Sequence, residues 1–155
     1  MNDKRKELIV SAISNGTVID HIPSENVFKV IKILGLDKTG KQVYFGTNLD
    51  SKKYGKKGII KISDTYFAIE EINKIALVAP SATLIEIRDY EVTRKTNVSI
   101  PARIEKIVKC FNPNCITNKE EVSTKFSVIY DENGLMKLSC HYCEKNTSKD
   151  NLIFI

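Results

Sequence analysis

At 155 residues, with 42% hydrophobic and 28% charged residues, the chain is long enough for one ordinary domain or two small ones and too apolar for a disordered tail. No apolar run reaches the length of a bilayer span, and the first residues (MNDKRKELIV) lack the apolar core of a secretory signal, so a soluble cytoplasmic protein is expected. The net charge of +5 is uneven: residues 1–101 hold 16 Lys and Arg against 12 Asp and Glu, whereas residues 102–155 hold 8 against 7.

In chain order, Leu8 to Ile13 is a short apolar run that ends at Asn15-Gly16, which predicts a strand and a turn. Thr17–Pro23 sets one carboxylate (Asp20) and one imidazole (His21) in an apolar frame. Ser24 has the chemistry of a helix N-cap, Val27, Val30, Ile31 and Leu34 recur at helical spacing, and Gly35 ends the helix. Gln42–Leu49 reads as a second strand, Asp50–Gly58 as a lysine-rich loop, and Gly58–Ser63 as a third strand with Ile60 and Ile62 on one face and Lys61 on the other. Ile69, Ile72, Ile75 and Ala76 mark a second helix closed by Pro80, and Ala82–Val92 a fourth strand. The order βαββαβ is that of a ferredoxin-like α+β domain, an antiparallel sheet with both helices on one face. The polar, proline-ended Thr93–Pro101 reads as a domain boundary. Beyond it, Val122–Tyr130 and Leu135–Ser139 are strands joined by the turn Asp131–Gly134, and Asn151–Ile155 is a last strand.

All four cysteines fall in two clusters, Cys110-x₄-Cys115 and Cys140-x₂-Cys143. Two tight pairs of thiols can present four sulfurs to one tetrahedral Zn²⁺, making a small, mainly β, Cys₄ zinc ribbon. Two disulfides are the competing reading, and they need an oxidising compartment. A Cys₄ site keeps no open coordination position, so such a metal holds structure and performs no chemistry. A domain of about fifty residues has a marginal core, and zinc binding, about 10–16 kcal/mol in small zinc peptides, would complete it.

Catalytic constellations are thin. His21 beside Asp20 is a candidate base, but no serine or cysteine nucleophile stands near them in a known motif, and there is no Walker loop or GxGxxG. His141, between two cysteines, is expected to point away from the metal. The lysines carry more: Lys52, Lys53, Lys56 and Lys57 crowd one loop, Lys61 lies within an apolar strand, and Lys95 follows the fourth strand. A lysine set in an apolar strand must reach water or meet an anion. With strands one and three central, Lys61 is expected near residues 10–14. Lys61, Lys95 and His21 with Asp20 opposite suit a phosphorylated ligand, cations holding phosphates and the carboxylate accepting from ribose hydroxyls. A zinc-ribbon nucleic-acid-binding protein is the alternative, but the basic excess lies outside the zinc part.

Gly16-Thr-Val-Ile-Asp-His-Ile-Pro23, Tyr90-Glu-Val92, Ile100-Pro-x-Arg-Ile104, Cys110-x₄-Cys115 and Cys140-x-Tyr-Cys-Glu144 together resemble the regulatory chain of aspartate carbamoyltransferase, in register from about residue 8 to the C-terminus. The resemblance implies a non-catalytic subunit that tunes pyrimidine biosynthesis. Residues 1–97 would form a nucleotide-binding allosteric domain and 98–155 a zinc domain docking to the catalytic chain. Regulatory chains of this family pair through their allosteric domains, as a homodimer, and bridge catalytic trimers. Carried over by position, the site for CTP or ATP, and possibly UTP, comprises Val10, Ala12 and Ile13 on the first strand, Val18, Asp20 and His21, Lys61, and Ile87, Tyr90, Val92 and Lys95. Asp20 and Lys61 would meet the ribose and base, Lys95 and His21 the triphosphate, and carbonyls near Ile13 and Tyr90 the exocyclic amine. Zinc, one per chain, would be held by Cys110, Cys115, Cys140 and Cys143. Two positions depart from the better-known members: Ser11 replaces an acidic side chain and Ile85 an amide, both at the base-binding edge.

Overall fold

The computed structural model describes residues 12–53 and 55–155. The chain divides between Ser99 and Ile100 into two compact units. No helix among the described residues is long and apolar enough to cross a membrane.

The first unit runs β1 (Gly16–Ile22), α1 (Val27–Ile33), β2 (Val43–Ser51), β3 (Gly55–Ser63), α2 (Ile69–Val78), β4 (Thr83–Arg88) and β5 (Glu91–Asn97). Its strands form one antiparallel sheet in the order β2-β3-β1-β4-β5. Through β4 this is the expected βαββαβ fold, with β1 and β3 adjacent at the centre. Ile19 pairs with Ile60 and Leu84, and Thr17 with Ile62. All five are buried on one face, and Val27, Val30, Ile75 and Ala76 of the helices are buried with them. Each fully buried aliphatic side chain of this size contributes about 1.5–3 kcal/mol. Gly58 lies on the same face: a Cβ there would collide with the Val27 side chain, so its lack of a side chain lets α1 approach β3.

Four expectations about this unit need correction. The first strand among the described residues is Gly16–Ile22, and the expected Leu8–Ile13 is described only at its end. Ala12 and Ile13 precede β1 outside any strand, and residues 8–11, including Val10 and Ser11, lie outside the described residues. The Thr17–Pro23 run conceals a strand because β1 bulges at Asp20-His21: Ile19 pairs with Ile60 but Ile22 with Gly58, one extra residue being absorbed where His21 takes φ of 58°. The segment Ala82–Val92 is two strands, turned at Asp89-Tyr90 where both residues have positive φ, so most of the supposed boundary is β5. Its side chains are exposed along their whole length, which hides the strand from a hydrophobicity pattern. The lysine-rich loop is mostly β-hairpin, with Lys56 and Lys57 on β3. Ser24 opens a 3₁₀ turn and caps nothing; its hydroxyl is buried without a partner.

The second unit is a sheet in the order β6-β7-β8-β9, formed by β6 (Arg103–Glu105), β7 (Lys125–Tyr130), β8 (Met136–Cys140) and β9 (Asn146–Ser148), with a single-turn helix α3 (Ile116–Lys119). Ile104, Ile107, Val108, Phe126 and Leu138 are its buried core. The turn at Asp131–Gly134 forms as expected: Asp131 Oδ1 accepts from the amides of Asn133 and Leu135, and Gly134 takes φ of 79°. The Leu135 amide is the main reason that the Asp131 carboxyl sits below its usual range. The last strand is again displaced. Asn146–Ser148 is the fourth ladder strand, whereas the terminal segment makes one bridge, Val108 to Phe154, so residues 153–155 run antiparallel to residues 107–109.

Candidate functional site

In the first unit the sheet face opposite the helices carries the expected residues. Val18 pairs with Lys61 on one side and Ile85 on the other, Lys61 with Tyr44, and Ile85 with Lys95. One row therefore crosses all five strands as Tyr44, Lys61, Val18, Ile85, Lys95. Lys61 thus stands opposite Val18; of residues 10–14, beside which it was expected, 10 and 11 lie outside the described residues. Lys61 is separated from Lys95 by three strand spacings, about 14 Å between backbones. A lone phosphate spans no such distance; an elongated polyanion does.

Towards one end of β1 the next row holds Asp20, Thr83 and Asn97, and towards the other Gly16, Ile87 and Val92. Asp20 accepts from the backbone amide of His21 (2.7 Å) and from Lys57 Nζ (2.8 Å). His21 Nδ1 lies 3.1 Å from Thr83 Oγ1, which donates to Asn97 Oδ1 at 3.1 Å. Thr83 thus links the His21 ring to Asn97. Ser81 Oγ donates to the His21 carbonyl at 2.8 Å. This network holds the strained bulge and aims His21 by its ring.

At the opposite end Tyr90, exposed in the β4–β5 turn, donates its amide to the Ser14 carbonyl, beside the buried Ile13 and the exposed Ala12. The structure thus gathers Val18, Lys61, Ile87, Val92 and Lys95 on one face, with Asp20 and His21 at one end and Ile13 and Tyr90 at the other. Lys57 is a residue that the sequence reading left in a loop. Only the hairpin register, Leu49 opposite Lys57, could have moved it onto the strand. Burial lowers the Lys61 ammonium below the usual lysine range, and the nearby Asp20 charge offsets part of that effect. A half-buried cation so destabilised gains from an anion brought to it.

In the second unit the four sulfurs of Cys110, Cys115, Cys140 and Cys143 all lie within 4.8 Å of one another. Cys110 and Cys143 are 3.6 Å apart and Cys115 and Cys140 3.7 Å, well beyond the length of a disulfide of about 2.05 Å. The two loops that bring them together are locally braced. Thr117 Oγ1 donates to Cys115 Sγ (3.2 Å), and Asn118 Nδ2 donates to the carbonyls of Cys110 (2.9 Å) and Asn112 (2.8 Å).

The thiols are pulled apart by their surroundings. Burial pushes Cys110 well up, helped by its sulfur neighbours, and burial also raises Cys140. Burial acts upward on Cys143 too, but the Lys145 amide and the Asn112 side chain outweigh it and bring that thiol to about 7. A cluster whose members compete for protons is one in which a cation can replace them. His141 packs edge-on against Tyr142, ring centroids 5.0 Å apart, and contributes no atom to the metal-ligating group.

Residues 8–99 match the family described as aspartate carbamoyltransferase regulatory chain, allosteric domain, and residues 102–153 the metal binding domain of the same chain. Among curated relatives, the aspartate carbamoyltransferase regulatory chain of Bacteroides fragilis is 51% identical over 155 residues, covering all of both chains. That of Pyrococcus horikoshii is 51% identical over 149 residues, covering 95% of this chain and 97% of the relative. Both relatives are thus matched across both units.

Proposed function

Because the chain belongs to the family of aspartate carbamoyltransferase regulatory chains, we propose that it carries no catalysis of its own and binds nucleoside triphosphates on the open sheet face of its first unit. The row from Lys61 to Lys95 is the observation that carries this reading: two cations about 14 Å apart across an apolar strip of Val18 and Ile85 fit a nucleoside at one end and a triphosphate at the other. Lys61 and Asp20 meet the ribose and base, Lys95 and His21 the phosphates. CTP and ATP are the effectors to test first, and UTP after them.

Zinc is the ion for the four cysteines. Thiolate ligands in a tetrahedral set of four select it, and a closed set supplies structure without an open position for chemistry. The bound ion would tie the Cys110–Cys115 loop to the Cys140–Cys143 loop. Phe111, Ile116 and Tyr142, exposed beside those loops, then form an apolar surface for the catalytic chain of aspartate carbamoyltransferase. On the first unit the edge strand β2 with exposed Phe28 and Phe45, ring centroids 5.4 Å apart, offers a surface for a second copy. Residues 1–97 thus serve as the effector domain and 98–155 as the docking domain of a cytoplasmic assembly.

The test is calorimetric titration of the full chain with CTP and ATP, beside zinc analysis of freshly purified protein. Saturable nucleotide binding that Lys61→Ala weakens, with one zinc per chain, is the expected result. Nucleotide binding indifferent to both Lys61 and Lys95 would remove the sheet-face site.

A further inference from the structure

The sequence holds two Asn-Gly dipeptides, Asn15-Gly16 and Asn133-Gly134, and the fold places them in opposite surroundings. Such a pair is open to attack by the glycine nitrogen on the asparagine side chain, because glycine has no Cβ to stand in the way. Asn15 is tied through both of its oxygens: Oδ1 accepts from the Asp89 amide (3.1 Å) and the carbonyl from the Asp64 amide (2.9 Å). Gly16 is buried at the start of β1, paired with Ser63 and Ile87, and a Cβ there would collide with the Ile62 carbonyl. Asn133 and Gly134 are exposed at the tip of the β7–β8 hairpin, and apart from its chain neighbours nothing comes within 4 Å of a Cβ placed on Gly134. Among the described residues the Asn133 side chain makes no hydrogen bond, while its backbone amide donates to Asp131 Oδ1 at 2.9 Å. The Gly134 amide donates to the Asp131 carbonyl at 2.9 Å, beyond the last ladder pair, Tyr130 with Met136. An exposed turn of this kind opens locally at small cost, whereas freeing Gly16 means parting β1 from both neighbouring strands.

We propose that Asn133 is a site of spontaneous deamidation and that the fold shields Asn15 from the same reaction. The Gly134 nitrogen loses its proton to water or hydroxide and bonds to Asn133 Cγ. The bond from Cγ to the side-chain nitrogen breaks, and ammonia leaves a cyclic imide behind. Water then adds to either imide carbonyl. Opening at Cγ restores the ordinary main chain with a carboxylate in place of the amide. Opening at the main-chain carbonyl gives an isoaspartyl linkage. In sum an amide and water become a carboxylate and ammonium, with no oxidant or reductant. Either product places a further carboxylate beside Asp131 and Glu132. The isoaspartyl linkage also routes the main chain through Cβ and lengthens the turn, which draws the Leu135 amide away from Asp131 Oδ1. Leu135 leads directly into β8, the strand that ends at Cys140, so this product loosens the strand that delivers one of the four thiols. The reaction itself uses no residue of the sheet face or of the cysteine cluster.

The experiment incubates the full, zinc-loaded chain at physiological pH and temperature, with samples taken over weeks, digested at mildly acidic pH and mapped by mass spectrometry. Conversion of amide to acid is expected at Asn133 at least about tenfold faster than at Asn15, since a locked segment reacts only in the fraction of chains that has opened it. Enzymatic methylation of isoaspartyl carboxylates should label the same peptide. In guanidinium, where neither dipeptide is held, the two rates should converge. Asn133→Gln should suppress the conversion, because the longer side chain closes its ring far more slowly. The isoaspartyl fraction, isolated by chromatography, is expected to unfold at lower urea than fresh protein, while Asn133→Asp, which adds charge alone, should keep the wild-type midpoint. Equal rates at the two dipeptides in the folded chain, an Asn133 that converts only in guanidinium, or an isoaspartyl fraction with a midpoint no lower than that of Asn133→Asp would each overturn the proposal.

Discussion

Lys57 Nζ lies 2.8 Å from Asp20 Oδ1, beside the bulge where β1 parts from β3. The pair is mostly withdrawn from water, with side-chain exposures of 21% and 17%. It stands in contrast to Lys56 and Asp50, which are closer, at 2.7 Å, but lie on the surface. Distance alone therefore misranks them, because solvent and salt screen the exposed pair. Lys57→Met is expected to cost about 1–2 kcal/mol, between the values for exposed and buried pairs. Lys56→Met should leave stability unchanged. Urea midpoints of the two variants, measured at low and high salt, check this, and equal losses would show that burial does not separate the pairs.

Lys61 gives a pH prediction with a definite sign. Burial lowers its folded-state pKa below the unfolded value near 10.5, with Asp20 opposing. Between the two values the unfolded chain binds more protons, so this group makes stability rise with pH across that window. Nucleotide affinity must move the other way, since the ligand needs the charged ammonium. Affinity is expected to fall before the ordinary lysine range is reached, and Lys61→Arg should flatten the decline because a guanidinium keeps its charge. A decline of the same shape in Lys61→Arg would assign the effect to another group.

Removing the Lys61 charge outright has a magnitude. Lys61→Ala is expected to weaken CTP or ATP by about 1.5–3 kcal/mol, the worth of one charge-assisted contact. Lys52→Ala, in the exposed hairpin turn, should change affinity little. Calorimetry on both variants decides, and equal losses would put the ligand elsewhere.

The metal and the effector face should fail separately. Any one of Cys110→Ser, Cys115→Ser, Cys140→Ser or Cys143→Ser is expected to lose the metal and unfold the second unit, because about 10–16 kcal/mol of binding energy is withdrawn from a small core. The first unit, a compact body of its own, should keep its fold and most of its nucleotide affinity. Circular dichroism and zinc analysis, beside nucleotide titration, provide the readout. A second unit still folded without metal would make the cysteines dispensable.

Lys95→Ala is the converse. Assembly with the catalytic chain should survive while the response to nucleotide is blunted. The coupling free energy at stake is about 1–3 kcal/mol, and it is reciprocal, so catalytic-site ligands should also alter nucleotide affinity in the wild type. Sizing chromatography of the assembly with nucleotide titration measures both, and loss of assembly in Lys95→Ala would contradict the division of labour.

Local chemistry was legible in the sequence wherever one segment carried the whole signal. Cys110-x₄-Cys115 and Cys140-x₂-Cys143 announced two thiol pairs, because thiols close together in sequence must also be close in space, whereas the meeting of the two pairs belongs to the tertiary structure. Ile60 and Ile62 against Lys61 announced the two faces of β3, since side chains alternate in any strand. Asp131–Gly134 announced its turn through residues that bond their own backbone.

What the tertiary structure alone decided was pairing. β5 has no apolar face, and it is a strand only because β4 supplies its hydrogen-bond partners. The bulge at Asp20-His21 exists only against β3, and it sets Asp20 next to Lys57 and His21 next to Thr83. The row from Lys61 through Val18 and Ile85 to Lys95 joins four strands far apart in the chain. Register is a relation between segments, fixed when buried faces lock together, and a shift of one residue would turn each of these side chains to the opposite face.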